Sequence, residues 1–183
     1  MLKNKRITVC VTGGIAAYKA ASLVSVLYKL GANVQVIMTK HATEFITPLT
    51  LQTLSHNKVI TDMFDEHDPS YVGHIHFGQD SDLVIVVPAT ANVIGKVVNG
   101  IADDMVTSTI IAATAPVIFA PAMNEFMYKN KFVRSNIQKL KDSNYGIIEP
   151  ESGYLACGTE GIGKLADTKT IMNAINEVLE RTC

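Results

Sequence analysis

The sequence predicts one doubly wound α/β domain, a mostly parallel sheet with helices on both faces. Three observations carry that expectation. Short apolar runs alternate with amphipathic, helix-like runs along the chain, the pattern of parallel βαβ units. Leu83 to Val87 is five apolar residues closed by Pro88, which reads as a buried strand. Thr12-Gly13-Gly14 makes a tight turn between a first strand and a helix. The 183 residues suffice for a single domain, spanning 1–183, with a substantial core.

The elements follow in order. Ile7 to Val11 is the first strand. Ala16, Ala20, Leu23, Leu27 and Leu30 recur at helical spacing, and Gly31 is a natural stop. Val34 to Met38 is the second strand, and a helix covers Pro48 to Ser55. Thr61 to Gly73 is polar, acidic and loop-like. After the Leu83 strand, helices occupy Ala91 to Val98 and Asp103 to Ala113. Val117 to Ala120 is the next buried strand, and Pro121 is expected to break its pairing. A helix spans Phe132 to Asp142, Ile147-Ile148 forms a short last strand, and Thr168 to Arg181 is an amphipathic helix with Asp167 as N-cap. Pro150 to Lys164 holds four glycines and no periodicity, so it reads as a loop long enough to carry a function.

Bulk properties exclude several classes. Hydrophobic content of 48% against 18% charged residues argues against disorder. A net charge of −1 without a basic block points away from nucleic acid and anionic membranes. Cys10, Cys157 and Cys183 show no CxxC spacing, so neither a disulfide framework nor a zinc site is expected, and a reducing cytoplasm is the simpler compartment. No signal peptide is expected, nor a transmembrane helix, because no apolar stretch reaches ~18 residues.

Ligands of open α/β sheets bind at the carboxyl ends of the strands. Pro121-Ala122-Met123-Asn124 lies at such an end and presents a neutral amide, able to orient a carboxylate or amide. Thr12-Gly13-Gly14-Ile15-Ala16-Ala17 places backbone N–H groups at a helix start, which suits either a phosphate or merely a tight turn. It is not a GxGxxG fingerprint, and Met38-Thr39-Lys40 lacks the acidic residue that holds a ribose, so NAD is disfavoured. Walker A is absent too. Hydroxyls at three strand ends, Thr12, Thr39 and Thr90, suit one phosphate and a polyol tail, as in flavin mononucleotide. Thr90 also fits a simple N-cap.

His74 and His76 have the HxH spacing that on a strand shares one face. A metal needs a third ligand, and Glu66, His67 and Asp68 lie in the polar loop, so no metal is expected. Two ordinary histidines before a helix, or one working histidine, remain as alternatives. Cys157 on its glycine-rich loop can reach a substrate as acid or nucleophile. Cys10 reads as core. Asp103-Asp104 reads as a pair of dipole-favoured charges in a helix's first turn. Met123, Phe126 and Met127 serve either the core or a pocket wall.

These segments together, with Gly73-His74-Ile75, Pro88-Ala89-Thr90-Ala91-Asn92, Gly100-Ile101-Ala102-Asp103-Asp104 and Ala156-Cys157-Gly158, resemble the flavin-containing cysteine decarboxylases over nearly the whole chain. The resemblance implies a Rossmann-like flavoprotein fold. It implies FMN held by Gly13, Gly14 and Ile15, by Thr39, Lys40 and His41, and by Thr90, Ala91, Asn92 and Val93, with Ala122 close by. It implies His74 as the active-site histidine and Asn124 as the residue binding the substrate's cysteine portion. Met127 would line that pocket, Tyr154, Leu155 and Ala156 would cover it, and Cys157 would donate the final proton. Within the family, the pattern is similar to the branch that decarboxylates 4′-phosphopantothenoylcysteine to 4′-phosphopantetheine in coenzyme A biosynthesis. That chemistry runs through a thioaldehyde and an enethiolate. Family members are trimers, often assembled into dodecamers, which would let His74 come from a neighbouring subunit.

Other readings share the fold. A peptidyl-cysteine decarboxylase acting on a peptide antibiotic precursor has the Pro-Ala-Met-Asn motif, though the Ala156-Cys157-Gly158 loop favours the small-molecule enzyme. A flavin prenyltransferase would not need Asn124 and Cys157 together. A regulatory phosphatase-binding protein is disfavoured, because His74, Asn124 and Cys157 are all kept. Two departures from the family pattern stand out. No fused ligase domain follows, so the phosphopantothenate–cysteine ligase is expected to be a separate protein. Gln79 replaces a basic residue of some relatives, which leaves open what holds the substrate phosphate.

Overall fold

The computed structural model describes residues 2–64, 72–154, 156, 158 and 160–181. The central sheet has five strands: β1 (Arg6–Val11), β2 (Asn33–Met38), β3 (Leu83–Ala89), β4 (Val117–Pro121) and β5 (Gly146–Ile147). All pair in parallel, in the order β2-β1-β3-β4-β5. The strand order reverses between β1 and β3, where the loops leaving the two strands diverge and open a crevice. The helices are α1 (Ala17–Lys29), α2 (Pro48–Ser55), α3 (Gly73–Gln79), α4 (Ala91–Val98), α5 (Met105–Ala112), α6 (Glu125–Lys129), α7 (Lys131–Asp142) and α8 (Thr168–Arg181), with a 3-10 turn at Lys40–Glu44. A separate antiparallel hairpin joins β6 (Glu151–Tyr154) to β7 (Glu160–Lys164).

Alternate strand residues feed two cores, one on each face of the sheet. Val9, Val11, Ile85, Val87 and Ala120 pack with Leu23 and Leu27 of α1 and Ile171 and Ile175 of α8. Cys10, Val84, Val86 and Phe119 pack with Ile94 of α4, Ile110 of α5 and Leu140 of α7. Cys10 is therefore core, and burial, with the charge of Asp104 adding to it, pushes its thiol pKa far up. The doubly wound expectation holds, and α2, α4 and α8 have the predicted bounds. Asp167 caps α8, its Oδ1 accepting from Thr170 N–H at 2.7 Å.

Several expectations need correction. Residues 150–164 are not an irregular loop but the β6–β7 hairpin, whose glycines hide any strand periodicity. Pro121 does not end the pairing: it sits opposite Ala89, and Ala122 N–H donates to Ala89 O at 3.2 Å. On its other side β5 reaches only Ile118 and Phe119, so the proline's missing donor leaves no ladder bond unmade there. Pro88 likewise lies within β3, at a register shift against β4 and after a cis peptide bond. Asp103 and Asp104 precede α5 instead of forming its first turn. Asp104 is the N-cap, closing a capping box with Thr107. His74 and His76 lie inside α3, where two residues turn the chain by about 200°, so they share no face. His76 Nδ1 bonds Asp80 Oδ2 at 2.8 Å. No group of metal-ligating side chains occurs among the described residues. Glu66, His67 and Asp68 lie outside them, as does Cys183. No helix is long and apolar enough to cross a membrane among the described residues.

One polar clasp fixes the amino-terminal edge of the sheet. Asp82, just before β3, accepts from Arg6 N–H at 2.8 Å and from Lys5 Nζ at 3.0 Å. Burial alone would raise its pKa, but the Arg6 N–H and the Lys5 ammonium outweigh burial and hold it below the ordinary carboxylate range. Because the side chain is partly exposed, Asp82→Asn should cost only about 1 kcal/mol, a Tm decrease of roughly 2–4 °C. The folded-state pKa is depressed, so the stabilisation is complete above the unfolded-state value of about 3.9 and disappears as pH falls through the folded one. The gap between the melts of both chains should narrow as pH falls from 7 to 3. A constant gap would refute the assignment.

Candidate active site

The loops leaving β1, β2, β3 and β4 enclose a cavity of about 1180 Å³ at the carboxyl edge of the sheet. It exceeds the ~300–1,000 Å³ of ordinary small-molecule sites, leaving room for a nucleotide-sized ligand and a second molecule. Gly13, Gly14, Ile15 and Ala16 form one wall, where α1 begins without a side-chain cap. Its leading N–H groups and helix dipole favour an anion there. A Cβ on Gly13 would stand 2.5 Å from His41 Cβ, so the glycine lets the β1 and β2 loops meet.

The threonines divide into two roles. Thr39 caps the 3-10 turn by accepting from Ala42 N–H at 3.3 Å, and Thr90 caps α4 by accepting from Val93 N–H at 3.4 Å. Both line the cavity. Thr12 does not, contrary to expectation, because its hydroxyl is consumed within the fold. It is fully buried, donates to Pro88 O at 2.6 Å, and accepts from Thr90 N–H at 3.2 Å. That bond ties the β1 loop to the β3 loop across the switch point.

Asn124 stands at the opposite wall, one turn beyond β4. Its Oδ1 accepts from Phe126 N–H at 2.9 Å and caps α6, and its Nδ2 amine is the donor half of the amide. Two anchors hold this segment. Met123 N–H donates to Gly163 O on β7 at 3.0 Å. The Tyr128 hydroxyl donates to Glu149 Oε2 at 2.5 Å, just before the hairpin, and Lys141 holds the other oxygen of Glu149 at 2.6 Å. Burial, followed by the Glu149 bond, pushes the Tyr128 pKa up to about 12, so the hydroxyl stays protonated as the donor.

Cations outnumber anions around the cavity. Among the described residues, Lys19, Lys40, Lys96 and Lys164 line it, against the carboxylate of Asp104. Lys96 Nζ bonds Asp103 and Asp104, and chiefly the Asp103 bond raises its pKa.

The cavity gathers Gly13, Gly14, Ile15, Thr39, Lys40, His41, Thr90, Ala91, Asn92, Val93, Ala122, Asn124, Met127, Tyr154 and Ala156. Met123 lines it too, whereas Phe126 does not. His74, on α3, does not line the cavity of its own chain. Leu155 and Cys157 lie outside the described residues. Sequence reasoning missed Tyr18, Phe45, Lys96, Asp104 and Lys164. A strand-end rule stops at the first residues of the following helix, whereas Lys96 projects from further along α4.

A protein-family profile described as Flavoprotein matches residues 1–180. The coenzyme A biosynthesis bifunctional protein CoaBC of Bacillus subtilis (strain 168) is 54% identical over 172 residues, covering 94% of this chain and 42% of that protein. The chain thus spans under half the length of the bifunctional relatives it matches. A Streptococcus mutans protein named as a probable phosphopantothenoylcysteine decarboxylase is 47% identical over 178 residues, covering 96% of this chain and 99% of that one. Among solved structures, the FMN-dependent cysteine decarboxylase SpaF superposes with a TM-score of 0.86 at 28% identity, covering 99% of this chain and 98% of that one.

Proposed function

Because this chain belongs to the Flavoprotein family, we propose that it uses FMN to decarboxylate 4′-phosphopantothenoylcysteine to 4′-phosphopantetheine in cytoplasmic coenzyme A biosynthesis. One observation carries the reading: the uncapped start of α1 and the amide of Asn124 line one cavity large enough for cofactor and substrate. The donor set fits a flavin nucleotide. Backbone N–H groups at Gly13, Gly14 and Ile15 suit its phosphate, with Lys40 and His41 adding polar contacts. Thr39 and Thr90 through Val93 suit its polar edges, and Ala122 leaves space for a flat ring. When bound, FMN supplies a reversible two-electron sink, which lets the substrate pass through a thioaldehyde, lose CO₂ and be reduced again.

The chain's own residues do the rest in this reading. Asn124 Nδ2 donates to the substrate carboxylate and holds it over the cavity. Met127 packs on the apolar part of the substrate, while Tyr154, Leu155 and Ala156 exclude water. Cys157 delivers a proton to the enethiolate carbon. His74 reaches the cavity of a neighbouring chain in a homotrimer, or in a dodecamer built from trimers. A phosphopantothenate–cysteine ligase provides the substrate.

The test is CO₂ release and product mass from FMN-loaded protein offered phosphopantothenoylcysteine or a cysteine-ending peptide. Turnover of the small molecule alone is expected, with Cys157→Ser releasing CO₂ but stalling at the oxidised product. Preference for the peptide, or normal reduced product from Cys157→Ser, would overturn the respective part.

A further inference from the structure

Lys96 is held in a way that none of the other cavity lysines is. Its Nζ donates to Asp103 Oδ1 at 2.7 Å and to Asp104 Oδ2 at 3.2 Å. Asp104 is itself immobilised, its Oδ1 accepting from Thr107 N–H at 2.8 Å and from the Thr107 hydroxyl at 3.0 Å. By contrast, Lys164 has only a 3.9 Å approach to Glu151. An ammonium carries three N–H donors, and two are used here. Lys96 also lines the cavity, so its third donor is positioned for a ligand there. The side chain is 23% exposed, and the Asp103 bond outweighs the effect of burial, keeping the nitrogen charged at neutral pH.

A charged donor that cannot swing stabilises most strongly the state of a ligand in which negative charge develops. An oxidised flavin ring is neutral. On taking up two electrons and one proton it becomes an anion, with the charge spread over the nitrogen and carbonyl acceptors of its pyrimidine ring. Resting on the flavin reading above, we propose that Lys96 donates to that pyrimidine edge and selectively stabilises the reduced, anionic flavin. Asp103 and Asp104 act as counterweights: they aim the ammonium and moderate its charge. In turnover the electrons come from the thiol-bearing carbon of the substrate, and in the test they come from dithionite.

The experiment measures dissociation constants for oxidised and for dithionite-reduced FMN on the whole chain and three variants. Lys96→Met is expected to raise the ratio of reduced to oxidised constants at least tenfold. For a two-electron couple this lowers the flavin potential by about 30 mV. Lys96→Arg keeps the charge and should restore most of the effect. Asp103→Asn removes a counterweight from an exposed position, so its ratio should move the opposite way. Equal weakening of both oxidation states by Lys96→Met, or a shift in the same direction by Asp103→Asn, would overturn the assignment in favour of a structural role. Unchanged flavin ratios with a raised substrate KM would overturn it in favour of a substrate contact. A chain that binds neither form of FMN overturns the flavin reading itself, and the inference with it.

Discussion

Gly163→Ala is expected to leave a folded protein whose decarboxylation has dropped by at least about a hundredfold. Gly163 has φ +132°, a conformation that L side chains rarely adopt, and an added Cβ would collide with the Met123 carbonyl oxygen. Both partners in that collision are backbone, so no side chain can rotate to relieve it. The hairpin must lift away from the segment after β4, breaking the 3.0 Å bond from Met123 N–H and shifting Asn124. The strain amounts to roughly 1–3 kcal/mol, which a domain of this size survives. Gly161 on the same strand provides the control. A Cβ there first meets the Glu125 carboxylate, the far end of a side chain that can shift with its Lys129 partner. Gly161→Ala should therefore stay within roughly threefold of the parent rate. Wild-type turnover by Gly163→Ala, with an unchanged melting curve, would show that the hairpin contact does not set the position of Asn124.

Asn124→Asp separates the two functions of one side chain. Aspartate caps helices as well as asparagine, so Phe126 N–H keeps its acceptor and α6 stays in place. The Nδ2 donors are lost, and a negative charge faces the substrate carboxylate. Losing a donor aimed at the reacting group costs about 10²–10³ in rate, and charge repulsion adds to that. The expected result is a stable, flavin-loaded protein with kcat/KM reduced more than about a thousandfold. Steady-state kinetics alongside flavin absorbance provide the check. Loss of flavin from this variant, or retention of most activity, would place Asn124 outside the substrate site.

β3 and β4 were the most legible strands because they are buried on both faces and appear as apolar runs. Capping residues located α4 and α8. The short elements were not legible. α3 has seven residues including two glycines, and its place comes from packing beside α5, with Gly78 O accepting from Thr114 and Ala115 N–H. α6 has five residues, too few for a periodicity. In the hairpin, Gly153, Gly158, Gly161 and Gly163 remove the side chains that would reveal alternation. At the site, strand ends and the family resemblance identified residues of the β1, β2, β3 and β4 loops. Lys96 and Asp104 escaped because each looks like an ordinary helix residue until the fold brings α4 against the start of α5. Thr12 was misassigned because a hydroxyl at a strand end looks the same whether it faces a ligand or a neighbouring carbonyl.

The inward-turned hydroxyl of Thr12 has a thermodynamic consequence. Its bonds to Pro88 O and Thr90 N–H lie within the fold, so the spacing between the β1 and β3 loops is settled when the chain folds. A ligand arriving there does not have to order them. The conformational entropy of shaping that wall has already been lost, and little of the ligand's binding free energy is diverted to it.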